Sequence, residues 1–318
     1  MRIAIIISLL QINFSFAQQD VELTPGQPEF FHTMDGKDID KVQVRKQKLG
    51  YVFGTGLKPS KYSYGQYRRI KNLTKKIPNF PMQWTLAEIN QNRILSHSKN
   101  HQLKFFGASV SKIFVAGAFL FYNKGKVSNR DLTELGKMIS VSDNVSWKGI
   151  QRKIGSGDDN VGRRLIHAFT QALGYKRTVA FQGWLDDFHG NELTAFETTQ
   201  FIMDTFHQKY EGASTLWKVM FTTLTGKERG KKYLPNWLYV GGKTGTYRGT
   251  TVDPETGAEK YPNGNPYRVN VRHHALIFSC AGQHFALTIL NNYRHQEYVS
   301  ILSWGLFKEY VEPLCRKK

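Results

Sequence analysis

From Pro81 onward the chain carries regular blocks of apolar positions that differ in length and period. Met82 to Ile89 and Arg93 to Ser96 are short, and Asn90-Gln91-Asn92 separates them, which predicts two strands joined by a turn. Ser109 to Tyr122 is strongly apolar through Ile113, Phe114, Val115, Ala116, Ala118, Phe119 and Leu120. It is too long for an ordinary strand and rich in helix formers, so a buried helix is expected. Amphipathic helical stretches follow from Asp131 to about Phe221, broken at Gly155-Ser156-Gly157 and at Gly174. Strand patterns return over Leu238 to Thr246, Arg268 to Cys280 and His284 to Leu290, and a last helix over Tyr298 to Val311 stops before Pro313.

This order is not an alternation of strand and helix. It predicts an α/β chain of the α+β type: an antiparallel sheet flanked by helices, with a helical subdomain. Ahead of Phe80, the segment from Gln18 to Asn79 is polar and lysine-rich with little apolar period, and is expected to form a basic extension packed loosely on the main domain. Gly54 and Gly56 make no dinucleotide fingerprint, because the third glycine is missing and Pro59 follows. At the start, Met1-Arg2, the apolar run Ile3 to Leu10 and the small-residue end Ser15-Phe16-Ala17 have the form of a cleaved signal peptide over residues 1–17. The run is too short to span a bilayer, and no other segment serves as a transmembrane helix. An exported protein, periplasmic or extracellular, is expected.

Composition changes this picture in two ways. The chain has 318 residues, 40% hydrophobic, enough for a sizeable core, but Lys and Arg outnumber Asp and Glu by 44 to 25, for a net charge of +19. The basic residues are spread over Lys41 to Lys48, Arg68 to Lys76, Lys227 to Lys232 and the tail, without any nucleic-acid-binding motif. A nucleic-acid partner is therefore not expected; the basic surface is either simply solvated or attracted to anionic envelope polymers or lipid headgroups. The two cysteines, Cys280 and Cys315, could pair in an oxidising compartment, or remain a strand thiol and a tail thiol. Neither they nor the ten histidines have metal-ligand spacing, and His273-His274 would point to opposite faces of a strand, so no metal or cofactor is implied.

Three short motifs carry chemistry. Ser109-Val110-Ser111-Lys112 opens the apolar helix, Ser142-Asp143-Asn144 falls between helical stretches, and Lys243-Thr244-Gly245 sits on a late strand before Thr246. Residues three apart on a helix share a face, so the Lys112 amine can reach the Ser109 hydroxyl and activate it. The helix N-terminus beside Ser109 favours developing negative charge. A second Ser-x-x-Lys, Ser96-His97-Ser98-Lys99, lies in a polar turn and is expected to be a solvated loop.

In this order the three motifs resemble those of the class A β-lactamases and penicillin-binding proteins. The flanking Phe106-Gly107-Ala108, Ala172-Leu173-Gly174 and Arg229-Gly230-Lys231-Lys232-Tyr233-Leu234-Pro235 are similar to class A sequences, and the likeness runs from about Phe80 to Val311. It implies a β-lactamase-like serine hydrolase domain over residues 80–318 that forms an acyl-enzyme with β-lactams or the peptidoglycan stem peptides they mimic. By the same resemblance Ser109, Lys112 and Ser142 are catalytic, with the backbone N–H groups of Ser109 and Thr246 as oxyanion hole. Asn144 binds the substrate amide, and Lys243, Thr244, Gly245 and Thr246 hold its carboxylate. One departure matters: the stretch from Gly174 to Ala195 lacks the Glu-x-x-Leu-Asn motif that places the deacylating water. Asp186 and Asp187 are the nearby carboxylates that could substitute, with loop solubility as the competing role, while Glu192 and Glu197 suit the start of the next helix. Slow deacylation, a D-alanyl-D-alanine peptidase and a non-catalytic envelope-binding module are the alternatives to an efficient β-lactamase.

Overall fold

The computed structural model describes residues 52–186, 188–250, 268–292 and 295–316, with a short strand pair at Gln43–Val44 and Gln47–Lys48. The expected signal peptide, the first part of the extension and Asp187 lie outside the described residues.

In chain order the main elements are α1 (Lys61–Lys76), β1 (Met82–Glu88), β2 (Arg93–His97), α2 (Lys112–Tyr122), α3 (Asn129–Ser140), α4 (Asn144–Ile154), α5 (Asp159–Ala172), α6 (Ala195–Phe206), α7 (Ala213–Met220), β3 (Tyr239–Thr250), β4 (Arg268–Cys280), β5 (Gln283–Asn291) and α8 (Glu297–Leu306). The five strands form one antiparallel sheet in the order β2-β1-β5-β4-β3.

The period of two in the strands sends alternate residues to two separate cores. Met82, Trp84, Leu86, Leu276, Phe278, Leu287 and Ile289 pack on one face, beneath Tyr67 and Ile70 of α1 and Val299, Leu302 and Leu306 of α8. Ala87, Ala275, Ile277, Ala286 and Leu290 pack on the other, against α2 and the helical layer. Helix α2 is buried on all sides, every residue from Lys112 to Leu120, which is why its sequence shows no polar face. Around it, the helices begin where side chains cap them: Ser128 with Asp131 at α3, Asp143 on the Ser146 N–H at α4, Asp158 at α5, and Thr194 on the Glu197 N–H at α6.

The later part of the expected loose extension is firmly packed. Val52 accepts from the Val240 N–H at 2.9 Å, and the Gly54 N–H donates to Leu238 at 3.1 Å, so the chain runs along the outer edge of β3. Helix α1 then turns Ser63, Tyr67, Ile70 and Thr74 inward, a one-face spacing that two small polar residues conceal in the sequence. The Trp84 indole donates to Thr74 Oγ1 at 2.9 Å, and Tyr67 and Lys71 both bond Glu309.

At the other end, Cys280 and Cys315 are disulfide-bonded, with Cα atoms 5.7 Å apart. The bond ties the end of β4 to the short C-terminal helix and settles the two alternatives in favour of pairing.

Candidate active site

The site lies where the N-terminus of α2, the α3–α4 junction and strand β3 converge. Ser109 occupies a single 3-10 turn, Ala108–Ser111, that leads directly into α2. The backbone on either side of the cluster is held in the left-handed region at Ala108 (φ 47°) and Ser142 (φ 64°), conformations that a side chain tolerates only when the surroundings impose them. Strand β3 passes close to the serine turn. A Cβ at Gly245 would lie 3.0 Å from the Gly107 carbonyl and 3.1 Å from Val110, so glycine is what lets the two backbones approach.

Burial increases inward from the mouth. Asn144 and Thr246 are exposed, Ser109 and Ser142 half-buried, and Lys112 and Lys243 fully buried. The Lys112 Nζ donates to the Ser142 carbonyl at 2.7 Å, to Ser142 Oγ at 3.3 Å and to Asn144 Oδ1 at 2.7 Å. From the other side, Lys243 Nζ donates to Ser142 Oγ at 2.8 Å and to the Thr244 carbonyl at 2.8 Å. The Ser142 hydroxyl is thus shared by two amines, and the three motifs are joined through it. In this structure Lys112 is committed to Ser142 and Asn144 rather than to the Ser109 hydroxyl expected from helical spacing alone.

Charge in the cluster is one-sided. Burial brings the Lys112 amine down to about 7, with Asp143 opposing the fall. Burial lowers Lys243 well below the usual lysine range, and Lys112, Arg229 and Lys231 push in the same direction. Lys231, fully buried with its amine on the Thr223 carbonyl at 2.5 Å, is brought down to about 7 by burial and by Lys227. A neutral amine at Lys112 can accept a proton, which is what a serine hydroxyl requires of its partner.

Two positioning elements were not legible in the motifs. Arg229 is buried under β3 and donates to the carbonyls of Gly245 and His273, both at 2.9 Å, and to Thr246 Oγ1 at 2.8 Å. It therefore fixes Thr246 at the mouth and adds a cation there. Asn191, buried and with φ 67°, accepts from the Gly107 N–H at 2.7 Å through its carbonyl and from Ser111 Oγ at 2.5 Å through its side chain. It pins the serine turn from the loop side. The Arg229-Gly230-Lys231 string gave a sequence signal for the first; nothing in the sequence distinguishes Asn191 from a loop residue.

The other residues singled out in the sequence fall elsewhere. Asp186 sits at the tip of the hairpin formed by Trp184–Leu185 and Phe188–His189, its side chain 64% exposed and paired with Arg164 at 3.2 Å. The structure does not bring it to Lys112, because the hairpin tip is turned toward Arg164 of α5. Glu197 is structural: its carboxylate accepts from the Arg177 N–H and from Thr178 Oγ1. Among the described residues, the only carboxylate acting on Lys112 is Asp143, which is held as the N-cap of α4. The second Ser-x-x-Lys begins in β2, where Ser96 donates to the Tyr310 hydroxyl on the opposite side of the sheet from Lys112. His273 bridges the Phe106 carbonyl at 2.7 Å and the Asn291 N–H at 2.8 Å, while His274 faces Gly226 and Gly230, so the pair does point to opposite sides.

No protein-family profile and no curated sequence matches the chain. Solved structures do. The TLA-3 extended-spectrum β-lactamase superposes with a TM-score of 0.55 at 17% identity, covering 77% of this chain and 99% of its own. A class A β-lactamase from Bacteroides cellulosilyticus gives 0.56 at 16%, covering 79% and 98%. The structure titled PBP-A gives 0.56 at 15%, covering 78% and 96%. Identities this low speak to architecture, and the architecture agrees with the sheet, the helical layer and the motif order: the chain has the fold shared by the class A β-lactamases and PBP-like proteins.

Proposed function

We propose that the protein is an exported serine acyl-enzyme that reacts with β-lactams or with peptidoglycan stem peptides. The observation that carries this reading is the hydrogen-bonded cluster Lys112, Ser142, Asn144 and Lys243 beside a serine at a helix N-terminus. Ser109 Oγ attacks the amide or lactam carbonyl while its proton passes to the Lys112 amine. The carbonyl oxygen takes the developing charge toward the backbone N–H groups of Ser109 and Thr246. The C–N bond then breaks, and the Ser142 hydroxyl, bonded to both lysines, relays a proton to the leaving nitrogen. Asn144 orients the substrate amide. Lys243, Thr244, Thr246 and Arg229 present cationic and hydroxyl groups to a substrate carboxylate, and glycine at Gly245 lets their strand lie against the serine turn.

The missing Glu-x-x-Leu-Asn and the outward Asp186 favour acylation faster than hydrolysis, the behaviour of a penicillin-binding enzyme. A D-alanyl-D-alanine peptidase is accordingly the second reading. Export is supported by the Cys280–Cys315 disulfide, which an oxidising compartment sustains, and by the signal-like residues 1–17. Among the described residues no helix is long and apolar enough to cross a membrane.

The test mixes the mature protein with a chromogenic cephalosporin and follows colour and intact mass together. A one-to-one mass increase with little colour supports the acyl-enzyme with slow release; repeated turnover means that another group activates water. Ser109→Ala should abolish labelling by a fluorescent penicillin. Labelling that persists in that variant refutes the nucleophile, and an unlabelled wild type that sediments with cell walls in a salt-sensitive way returns the envelope-binding reading.

A further inference from the structure

Helix α1 carries six Lys and Arg residues and no Asp or Glu. Tyr64, Arg68, Lys71 and Lys75 recur at spacings of four, three and four, so they share one face of it. That face lines a cleft of about 490 Å3 against Trp304 and Gly305 of α8 and Lys308 just beyond it, a volume typical of small-ligand sites. Cations stacked along one helical face repel one another, so the arrangement costs stability unless an anion offsets it.

The protein's own carboxylates offset only part of this charge. Glu309 accepts from both Lys71 and the Tyr67 hydroxyl. Lys308 pairs with Glu312, which Arg316 also engages at 2.6 Å. Arg68 and Lys75, both exposed, have no carboxylate partner among the described residues. Lys75 suits the negative end of the helix dipole, but Arg68 in mid-helix has no such reason to be basic. The floor between them is aromatic. The Tyr64 ring, 53% exposed, meets Trp304 edge-on at 4.5 Å. Glycine at Gly305 lets the Tyr67 ring lie against α8, since a Cβ there would come within 2.1 Å of it. A polyanion without apolar groups would leave the rings of this cleft unused, and an uncharged apolar ligand would leave Arg68 and Lys75 unpaired.

We propose that the α1–α8 cleft docks the protein on an anionic lipid surface: one phospholipid phosphate sits between Arg68 and Lys75, and its glycerol and first methylenes lie on Tyr64 and the edge of Trp304. Such binding draws on basic residues close to the surface and on an aromatic ring at the level of the headgroups. Lys61, Arg69 and Lys76, exposed on the outer side of α1, add attraction to neighbouring headgroups. Helix α1 packs on the sheet face opposite α2, so a bilayer held against it faces away from the layer that carries Ser109. Docking and acyl transfer are therefore separable, and Ser109→Ala should bind lipid as the wild type does.

The test sediments the whole mature protein with vesicles of phosphatidylcholine containing about 30 mol% phosphatidylglycerol, and with phosphatidylcholine alone. Binding to the first and little to the second is expected, weakening as salt rises. Arg68→Gln with Lys75→Gln should weaken partitioning by roughly thirtyfold, because each basic residue near an anionic surface contributes about fivefold. Lys126→Gln with Lys148→Gln removes the same charge from exposed positions on the helical layer and should change partitioning by less than about threefold. Tyr64→Ala keeps every charge and should lose about fivefold through the ring alone. Each substituted position is exposed, and circular dichroism checks that the variants fold. Equal losses in the two double variants overturn the cleft, as does an absence of binding to the anionic vesicles. An unchanged Tyr64→Ala, or full displacement by soluble glycerol phosphate, overturns the lipid and makes a phosphate-bearing polymer the partner.

Discussion

Burial of Lys112 makes a quantitative statement about how acylation depends on pH. An ordinary lysine titrates at 10.5, whereas this one is brought to about 7. At pH 7 an ordinary amine is neutral in about 3 chains in 10,000, and Lys112 in about half, a gain of roughly 1,500-fold in the proton acceptor. If the neutral amine takes the Ser109 proton, the acylation rate follows its fraction. The rate should reach a plateau above about pH 8, fall to roughly half of it at pH 7, and drop to about a hundredth at pH 5. Stopped-flow labelling with a fluorescent penicillin, run in buffers from pH 5 to 10, measures this limb directly. Asp143→Asn adds a second check. Asp143 holds the Lys112 amine up, so its removal should move the midpoint to lower pH, provided the Asn side chain still caps the Ser146 N–H. A profile flat between pH 5 and 9, or a midpoint near that of a free lysine, would refute Lys112 as the base. A midpoint that moves upward in Asp143→Asn would refute the electrostatic account of it.

The disulfide closes a 35-residue separation, so Cys280→Ser with Cys315→Ser should lower unfolding free energy by roughly 4 kcal/mol in urea, with a loss below about 1 kcal/mol contradicting a stabilising bridge. Three buried lysines, Lys112, Lys231 and Lys243, bind protons less readily folded than unfolded, so the unfolded state takes up more protons between pH 7 and 9. Stability should therefore rise with pH across that window, and a urea midpoint that falls instead would contradict the lowered values. Asp186→Asn should leave the rate of acyl-enzyme release unchanged within about twofold, because its carboxylate is exposed and paired with Arg164; a large slowing would put it back at the site.

The strands and α2 were legible because burial leaves apolar runs whose length separates a short strand from a long buried helix. Helix α1 escaped because its inner face is Ser63, Tyr67, Ile70 and Thr74, half of it polar, with Gly65 in the middle of the pattern. Its packing depends on partners more than two hundred residues away, Glu309 among them. In the candidate site, Ser109, Ser142 and Lys243 could be found by motif because the three short patterns stand in a fixed order along the chain. Their geometry could not: helical spacing aims Lys112 at Ser109, but the carbonyls and side chains of a different helix junction draw the amine to Ser142 and Asn144. Arg229 illustrates the same limit: the Arg229-Gly230-Lys231 string marks the residue, but the Gly245 and His273 carbonyls that hold its guanidinium come from β3 and β4.

The pairing of residues 52–54 with the edge of β3 makes this segment part of the folded unit. Strand β3 is the last in the sheet and carries Lys243 to Thr246, with β4 on one side and this short segment on the other. A chain trimmed to begin at Phe80 would uncover that edge and bare the surface of Trp304 and Leu302 that α1 covers, inviting strand-to-strand association between copies. The stretch that looks most dispensable in the sequence thus acts as a selvage, keeping the start of β3 from fraying.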